Sequence, residues 1–501
     1  MPHSVTFLPA GRSVDVPSGT TLLEAARLAR VALASPCNGA GMCGKCRVKL
    51  DGAEDAVFAC STDVAADLRV TVPPALGETS LKVLEHGIGI SVPLEPSVAG
   101  DYGVVVDIGT TTLVASLVDL RSGAERASAA SFNPQAHHAQ DVLSRITLAA
   151  RPQGLALLYG TVTNAIGALL DELAQATGVA REEVREIVYS GNTAMLHLAT
   201  GTDPASLGKH PYTPKLATPA RLIAREHRIR IAADGLIYLP PVTSGFVGAD
   251  ITSGMLAARL GEIKGVSLFI DIGTNGEMVL AVDGDLTATS TAAGPAFEGM
   301  NVSCGMRAGD GAIEAVEIGD GDEAVLGVIG GVAPRGICGS GLLDAVGAFV
   351  ARGIVAGSGR FRDGRRTFEL AADVAVTQRD IRQVQLAKGA VRSGLDLLLA
   401  HAGISYEAVD RVLIAGSFGF HLRPESLFRL GLLPRAFDGR ITFLGNTSKT
   451  GGQALLLNAS CRARMAELVR RVKVLDLATF PQFQRVFIES LQFAERIPAY
   501  V

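Results

Sequence analysis

The 501-residue chain has no Trp, and aromatic residues make up only 5% of it. Any core must therefore be mainly aliphatic. The 48% hydrophobic content, supplied chiefly by Ala, Val and Leu, is ample for one and excludes wholesale disorder. Excess charge is also missing: 46 Lys and Arg stand against 50 Asp and Glu, a formal net charge of -4. Nucleic-acid affinity rests on clustered positive charge, so that class gains no support. No uninterrupted apolar stretch reaches about 18 residues, and no membrane span is expected. The start, MPHSVTFLPAGRSVDV, lacks the basic residues and long apolar run of a secretory leader. Two common nucleotide fingerprints are absent. There is no Gly-x4-Gly-Lys-Ser/Thr and no Gly-x-Gly-x-x-Gly after an early strand, so neither a P-loop nor a Rossmann-type nicotinamide or flavin site is expected. No flavin-reductase module is evident either. At roughly 150 residues per domain, the length suggests about three domains.

Cysteine is scarce but unevenly placed. Of seven, Cys37, Cys43, Cys46 and Cys60 fall within 24 residues, while Cys304, Cys338 and Cys461 are scattered and read as buried, inert thiols. An odd count in a large chain without a leader points to a reducing cytoplasm, where clustered cysteines bind metal more often than they form disulfides. The spacing Cys37-x5-Cys43-x2-Cys46-x13-Cys60, interleaved with Gly39, Gly41 and Gly44, suits a [2Fe–2S] cluster. Glycines let a loop take positive φ and aim N–H groups at sulfur. Zinc is the other metal for four thiolates. It usually shows two Cys-x2–4-Cys knuckles, and here only Cys43 and Cys46 are close.

Residues 1–75 read as one unit. A hairpin joins Val5–Leu8 to Arg12–Val16. Thr20 or Thr21 caps a helix through about Val31, with Glu24 as capping-box partner of Thr21, and strands follow at 46–50 and 68–72. This is a small β-grasp-like α+β unit. Residues 76–101, rich in Pro, Gly and Ser, read as a linker. From Val104 an α/β grammar of strands alternating with helices takes over, and it carries a repeat. Val104–Thr112 (VVVDIGTTT) returns 164 residues later as Leu268–Gly276 (LFIDIGTNG). Each copy is an apolar strand, an Asp at its end and a Gly-Thr turn. The repeat predicts two lobes, 102–265 and 266–485, with one loop from each facing a shared cleft. The chain from about Val472 is weakly patterned, and 486–501 reads as a tail.

Gly in such a turn lets backbone approach a phosphate, Thr hydroxyls and turn amides donate to it, and the Asp can hold a Mg²⁺-bound water. The paired loops, with a later strand and Gly turn at 412–419, resemble the acetate and sugar kinase/Hsp70/actin superfamily of duplicated ATPase folds. That resemblance assigns Asp107, Gly109, Thr110 and Thr111 to the first phosphate motif. It assigns Asp271, Gly273, Thr274 and Asn275 to the second, and Ala415, Gly416, Ser417 and Gly419 to the adenosine motif. Gly191, Asn192 and Thr193, after the strand 186–189, are candidates to line the cleft. Asp250 is the candidate to orient an attacking water, with Glu277 behind it, although a helix cap or a solvated face residue is an equally good reading of each. The pair His137 and His138 could suggest a metal, but adjacent side chains point apart.

The stretch Pro36–Cys46 resembles the cluster loop of plant-type and adrenodoxin-type ferredoxin domains, with a short gap to Cys60. A ferredoxin unit fused to a duplicated ATPase fold resembles the reductive activators of corrinoid proteins. That match also takes in Phe132–Gln135, Asp141–Ile146, Gly339–Asp344 and Leu444–Asn446. It implies a [2Fe–2S] cluster on Cys37, Cys43, Cys46 and Cys60, ATP and Mg²⁺ in the cleft, and a corrinoid protein of a methyltransferase system as partner. The chain would grip the Co(II) partner, alter cobalt ligation and return one electron to give Co(I), with a low-potential donor upstream. A homodimer is admitted by analogy only. Two other readings remain: a kinase or ATPase acting on a small molecule and regulated by its cluster, and a plain iron–sulfur electron carrier.

Overall fold

The computed structural model describes residues 2–29, 31, 33, 46–53, 55–72, 88–89, 91–416 and 422–493. Cys37, Cys43, Ser417, Gly419 and the end of the tail lie outside the described residues.

The N-terminal unit is a five-stranded mixed sheet. Pro2–Leu8 forms the hairpin with Arg12–Pro17 and runs parallel to Leu68–Thr71, which pairs with Arg47–Leu50 and, beyond it, Ala56–Phe58. A helix, Leu22–Leu28, starts where Thr21 Oγ1 accepts from Glu24 N (3.2 Å). It ends three residues earlier than the sequence suggested, and Glu24 turns to Arg27 (3.4 Å). Val5, Phe7, Val16, Leu22, Val48 and Val70 close a core beneath the helix. The strand Ala56–Phe58 was not anticipated. It is short and flanked by Asp55, too little pattern to register.

Two six-stranded sheets form the rest of the frame, and the repeat is visible in their order. In the first, Ala220–Ile223, Leu236–Leu239, Val184–Gly191, Tyr102–Ile108, Thr112–Asp119 and Glu125–Phe132 lie side by side. In the second the order is Ile441–Gly445, Arg411–Ala415, Val266–Ile272, Gly276–Val282, Asp285–Thr291 and Lys473–Val474. Each central strand runs parallel to a later strand on one side and makes a tight antiparallel hairpin on the other.

Strand alternation decides what each face meets. Val104, Val106 and Ile108 point to the helix Gly154–Thr177, whereas Val105 points the other way, among Leu455, Leu456 and Leu457 of the helix Thr447–Leu457. In the second sheet Leu268, Ile270 and Ile272 face the large core with the helices Gly339–Ala351 and Gln378–Ala402, and Phe269 faces Ile251 and Met255 of the helix Ala249–Ala257. The chain thus exchanges helices. The one following the second sheet covers the first, and the one following the first sheet lies between the two, with Ile251 and Met255 on the second and Ser253 and Leu256 on the first. They cross at small residues: a Cβ on Gly451 would sit 2.1 Å from the Ser253 carbonyl oxygen.

Three further segments correct the sequence reading. The second half of the expected linker is held in place, with Ile88 N donating to Leu444 O (2.9 Å) and Asn458 Nδ2 to Pro93 O (2.8 Å). Pro and Gly prevent regular structure there but leave carbonyls and amides free to bond. The weakly patterned C-terminal stretch is also docked. Lys473–Val474 joins the second sheet, and the helix Phe483–Ser490 packs on Gln378–Ala402, where buried Lys388 donates to Ser490 O (2.6 Å) and to Gln492 O. Finally, Gly154–Thr177 is long and apolar enough, by length and composition, to cross a membrane. In this fold its Leu158, Val162, Ile166 and Leu169 instead seat it on the first sheet.

Candidate functional site

Between the two sheets lies a deep cleft, and both Gly-Thr hairpins open into it. Alternation explains why. Asp107 and Asp271 end the two central strands with the parity of Val105 and Phe269, so each turns toward the exchanged helices. Asp107 meets the start of Thr447–Leu457. Ser448 Oγ donates to one carboxylate oxygen (2.7 Å) and Asn446 Nδ2 to the other (2.9 Å). Burial raises its pKa, and these two bonds and Lys449 oppose that rise. Lys449, itself buried, pairs with Glu125 of the first sheet (2.8 Å).

Asp250 occupies the first turn of Ala249–Ala257, where Oδ1 accepts from Ile251 N (2.8 Å). Burial, with Asp107 adding repulsion, lifts its pKa to about 7. Asp271 is likewise lifted to about 7 by burial, then by Asp250 and Asp107. Glu277 lies across the ladder from Asp271 and within electrostatic reach of Asp250. Burial raises its pKa well above the usual carboxylate range, and Asp250 and Asp271 add to that. Four carboxylates thus converge on one apolar-walled space. Among the described residues, however, no three His, Cys, Asp or Glu side chains are grouped closely enough to hold a metal ion unaided.

The first hairpin is braced from behind. Asn133 Nδ2 donates to Gly109 O (2.8 Å) and Asn133 N to Thr111 O (2.9 Å). Arg145 is fully buried. It donates to Thr110 O (2.6 Å), Gln135 Oε1 (3.1 Å) and Ala139 O (3.0 Å), and burial pushes its pKa down to about 9. Asn192 Nδ2 donates to Thr110 Oγ1 (2.9 Å). In the second hairpin Thr274 Oγ1 donates to Glu298. The hairpin closes with Gly273 N on Asn275 O (2.9 Å). Gly416 (φ +96°) leaves room for Asp271, because a Cβ there would come within 2.6 Å of its carboxylate.

Of the residues expected to form a nucleotide site, Asp107, Gly109, Thr110, Thr111, Asn192, Asp250, Asp271, Gly273, Thr274, Asn275, Glu277 and Gly416 line this cleft. Gly191, Thr193 and Ala415 stand behind it. Gly191 packs against Ile108, where a Cβ would meet the carbonyl oxygen at 2.5 Å. Thr193 Oγ1 is spent on Ser244 O (2.8 Å), and Ala415 is wholly buried in the sheet. Sequence reasoning gave no role to Asn446, Thr447, Ser448, Glu298, Glu314 or Arg307, all of which line the cleft. Asn446 and the braces Asn133 and Arg145 did lie within motifs singled out by resemblance. The buried Thr447 Oγ1 has no hydrogen-bond partner among the described residues and is enclosed beside Gly254, where the two helices cross.

Cys46 is buried at the start of its strand and Cys60 half-buried just after Ala56–Phe58. The pairing Arg47↔Phe58 and the bond from Ala59 N to Cys46 O (2.8 Å) bring them to adjoining strand ends. That placement fits two ligands of one cluster. Cys338 lies in the cleft wall, its thiol 3.3 Å from Ser340 Oγ and pushed up in pKa by burial. Cys461 is buried with its pKa raised the same way. Cys304 is half-buried between Asp373 O (3.5 Å) and Ala375 N (3.4 Å). His137 ends a short 3₁₀ turn, where burial and then Arg307 lower its pKa.

Comparison with known proteins agrees along the chain. Residues 5–69 match the 2Fe-2S iron-sulfur cluster binding domain, 102–262 the RACo middle region, and 265–499 the C-terminal domain of RACo, the ASKHA domain. The corrinoid activation enzyme RamQ of Eubacterium limosum is 31% identical over 424 residues, which span 79% of this chain and 71% of that protein. A [Co(II) methylated amine-specific corrinoid protein] reductase of Methanosarcina barkeri is 26% identical over 342 residues, 62% of this chain and 63% of its own. A solved reductive activator for corrinoid, iron-sulfur protein superposes with a TM-score of 0.74 at 30% identity, covering 98% of both chains. The ferredoxin fold, the duplicated ATPase frame and these relatives place the chain in the family of reductive activators of corrinoid proteins.

Proposed function

We propose that this chain is an ATP-dependent reductive activator that returns the Co(II) of an inactivated corrinoid protein to Co(I). A cluster held by Cys37, Cys43, Cys46 and Cys60 supplies one electron at a time. One observation carries the reading. A single chain joins a ferredoxin-type sheet, with Cys46 and Cys60 at adjoining strand ends, to a two-lobed cleft of buried carboxylates, and it aligns almost end to end with a solved reductive activator.

The two hairpins bracket the phosphates of ATP through Thr110, Thr111, Thr274 and Asn275. Mg²⁺ suits the carboxylates because it keeps most of its waters and takes one or two carboxylates plus phosphate oxygens, so no grouped protein ligand set is required. Asp107 and Asp271 would hold those waters, and Asp250, lifted to about 7, would take the proton of the attacking water. Cobalt reduction is uphill from ordinary donors. Each shortfall of about 59 mV for one electron is a factor of ten, so a gap of about 0.2 V asks for about 5 kcal/mol. Nucleotide-driven closure of two lobes on the partner is of that order.

The test is anaerobic. The cluster is reconstituted and reduced, a Co(II) corrinoid protein is added, and cobalt absorbance is followed with and without Mg-ATP. Co(I) that forms only with ATP, and is lost in Asp107→Ala and in Cys43→Ser, is the expected result. ATP hydrolysis with no cobalt reduced in any of several corrinoid partners would overturn the reading in favour of a cluster-regulated kinase or ATPase.

A further inference from the structure

Among the described residues, the cleft wall carries six carboxylates, on Asp107, Asp250, Asp271, Glu277, Glu298 and Glu314, against one basic side chain, Arg307. Among the described residues of this wall, Arg307 is the one side chain that brings a positive charge to an entering polyphosphate, so it has an outsized part in its recognition. Burial lowers the Arg307 pKa to about 10, which leaves it charged at neutral pH. Among the described residues no carboxylate oxygen lies within 4.0 Å of it. Its guanidinium is stacked instead on Phe132, 3.6 Å from the ring centroid, with the Met300 sulfur at 4.0 Å. Phe132 ends the edge strand of the first sheet, while Arg307 comes from the segment that follows Pro295–Glu298 in the second lobe. The contact therefore spans the cleft. Phe132 is also register partner to Thr112, beside the first hairpin, and Glu298, the acid nearest Arg307 in its effect, bonds Thr274 of the second.

We infer that Arg307 is the phosphate-sensing cation of the cleft. It rests on the face of Phe132 and leaves it for the terminal phosphates of Mg-ATP, so that the cross-cleft contact reports whether a triphosphate is bound. A half-buried guanidinium on an aromatic face is a weak pairing, and a phosphate accepts from its planar fork in bidentate fashion and displaces it. Arg307 is thus a specificity residue that favours ATP over nucleotides with fewer phosphates. This rests on the reading of the cleft as a nucleotide site.

The experiment is calorimetric titration of the full chain with Mg-ATP, Mg-ADP and AMP, for the wild type, Arg307→Gln, Arg307→Lys and Phe132→Leu. Arg307→Gln is expected to weaken Mg-ATP by about 10- to 100-fold and AMP by less than about 3-fold. Arg307→Lys should recover part of the loss, since it keeps the charge but not the fork. Phe132→Leu is expected to tighten Mg-ATP by about 2- to 5-fold, because the guanidinium loses its aromatic seat. Equal weakening of ATP and AMP in Arg307→Gln, or weakening by Phe132→Leu as severe as that by Arg307→Gln, overturns the inference and makes the pair a structural contact. The Lys and Leu variants decide the matter if the Gln variant does not fold. A wild-type chain that binds none of the three nucleotides defeats the nucleotide reading of the cleft itself, a result distinct from ATP binding that is indifferent to Arg307.

Discussion

Replacing Asp250 by Asn should stabilise the protein, and the gain should depend on pH. The side chain is half-buried in the cleft wall, and desolvation lifts its carboxyl to about 7 from the ordinary 3.8. A folded-state pKa above the unfolded one means that the folded chain holds the proton more tightly. The corresponding stability is fully present below about pH 3.8 and is lost as pH rises toward 7. Asn keeps the acceptor for Ile251 N but has no proton to lose. Linkage then makes the advantage of Asn small near pH 4, larger at pH 5 and greatest, on the order of a few kcal/mol, above pH 7. Loss of a negative charge in the first turn of Ala249–Ala257 trims that by about 0.3–1 kcal/mol. Thermal unfolding of both proteins at pH 5 and pH 8, without nucleotide, reads the effect. The Tm difference should widen by several degrees at the higher pH. An Asn variant that is less stable than wild type at pH 8, or offset equally at both pH values, would refute the account of the cleft as a charge cluster maintained against stability.

Other substitutions probe the braces and the frame. Arg145→Met leaves Thr110 O, Ala139 O and Gln135 without their donor and should cost about 2–3 kcal/mol, seen as a lower urea midpoint, together with weaker Mg-ATP binding. Gly451→Ala forces the exchanged helices apart at Ser253 and should cost about 1–3 kcal/mol, whereas Gly403→Ala, with nothing within 4 Å, meets no clash and suffers only for its φ of +66°. Cys46→Ser should lose iron and visible absorbance after anaerobic reconstitution; a full iron complement in that variant would remove Cys46 from the ligand set.

What was legible in the sequence is what local pattern encodes. The cysteine spacing, the two Asp-Gly-Thr turns and the apolar strands before them are short-range signals, and they led to the fold class and the family. The partners of Asp107 were illegible because they lie 339 and 341 residues away, and no local rule links Asn446 or Ser448 to a strand at 107. Gly191, Thr193 and Ala415 were read as wall when they are backing, since a motif does not say which of its members face the ligand. That Glu277 also stands opposite Asp271 is a relation that needs the hairpin register. The docked segment after Val472 has little periodicity of its own, and what fixes it is Lys388 on a distant helix.

The helix exchange has a consequence for how the chain is made. Neither lobe closes its inner face with its own stretch of sequence alone. Cut near residue 265, the first half would keep Leu256, Val92 and Val98 beside Val105, Val118 and Val188 but lose Leu455, Leu456 and Leu457, and the second would lack Ile251 and Met255 over Phe269. During synthesis the first sheet must wait for residues 454–457 before that face is closed. The two lobes therefore mature together, and the same interlock that delays them ties every later movement of one lobe to the other.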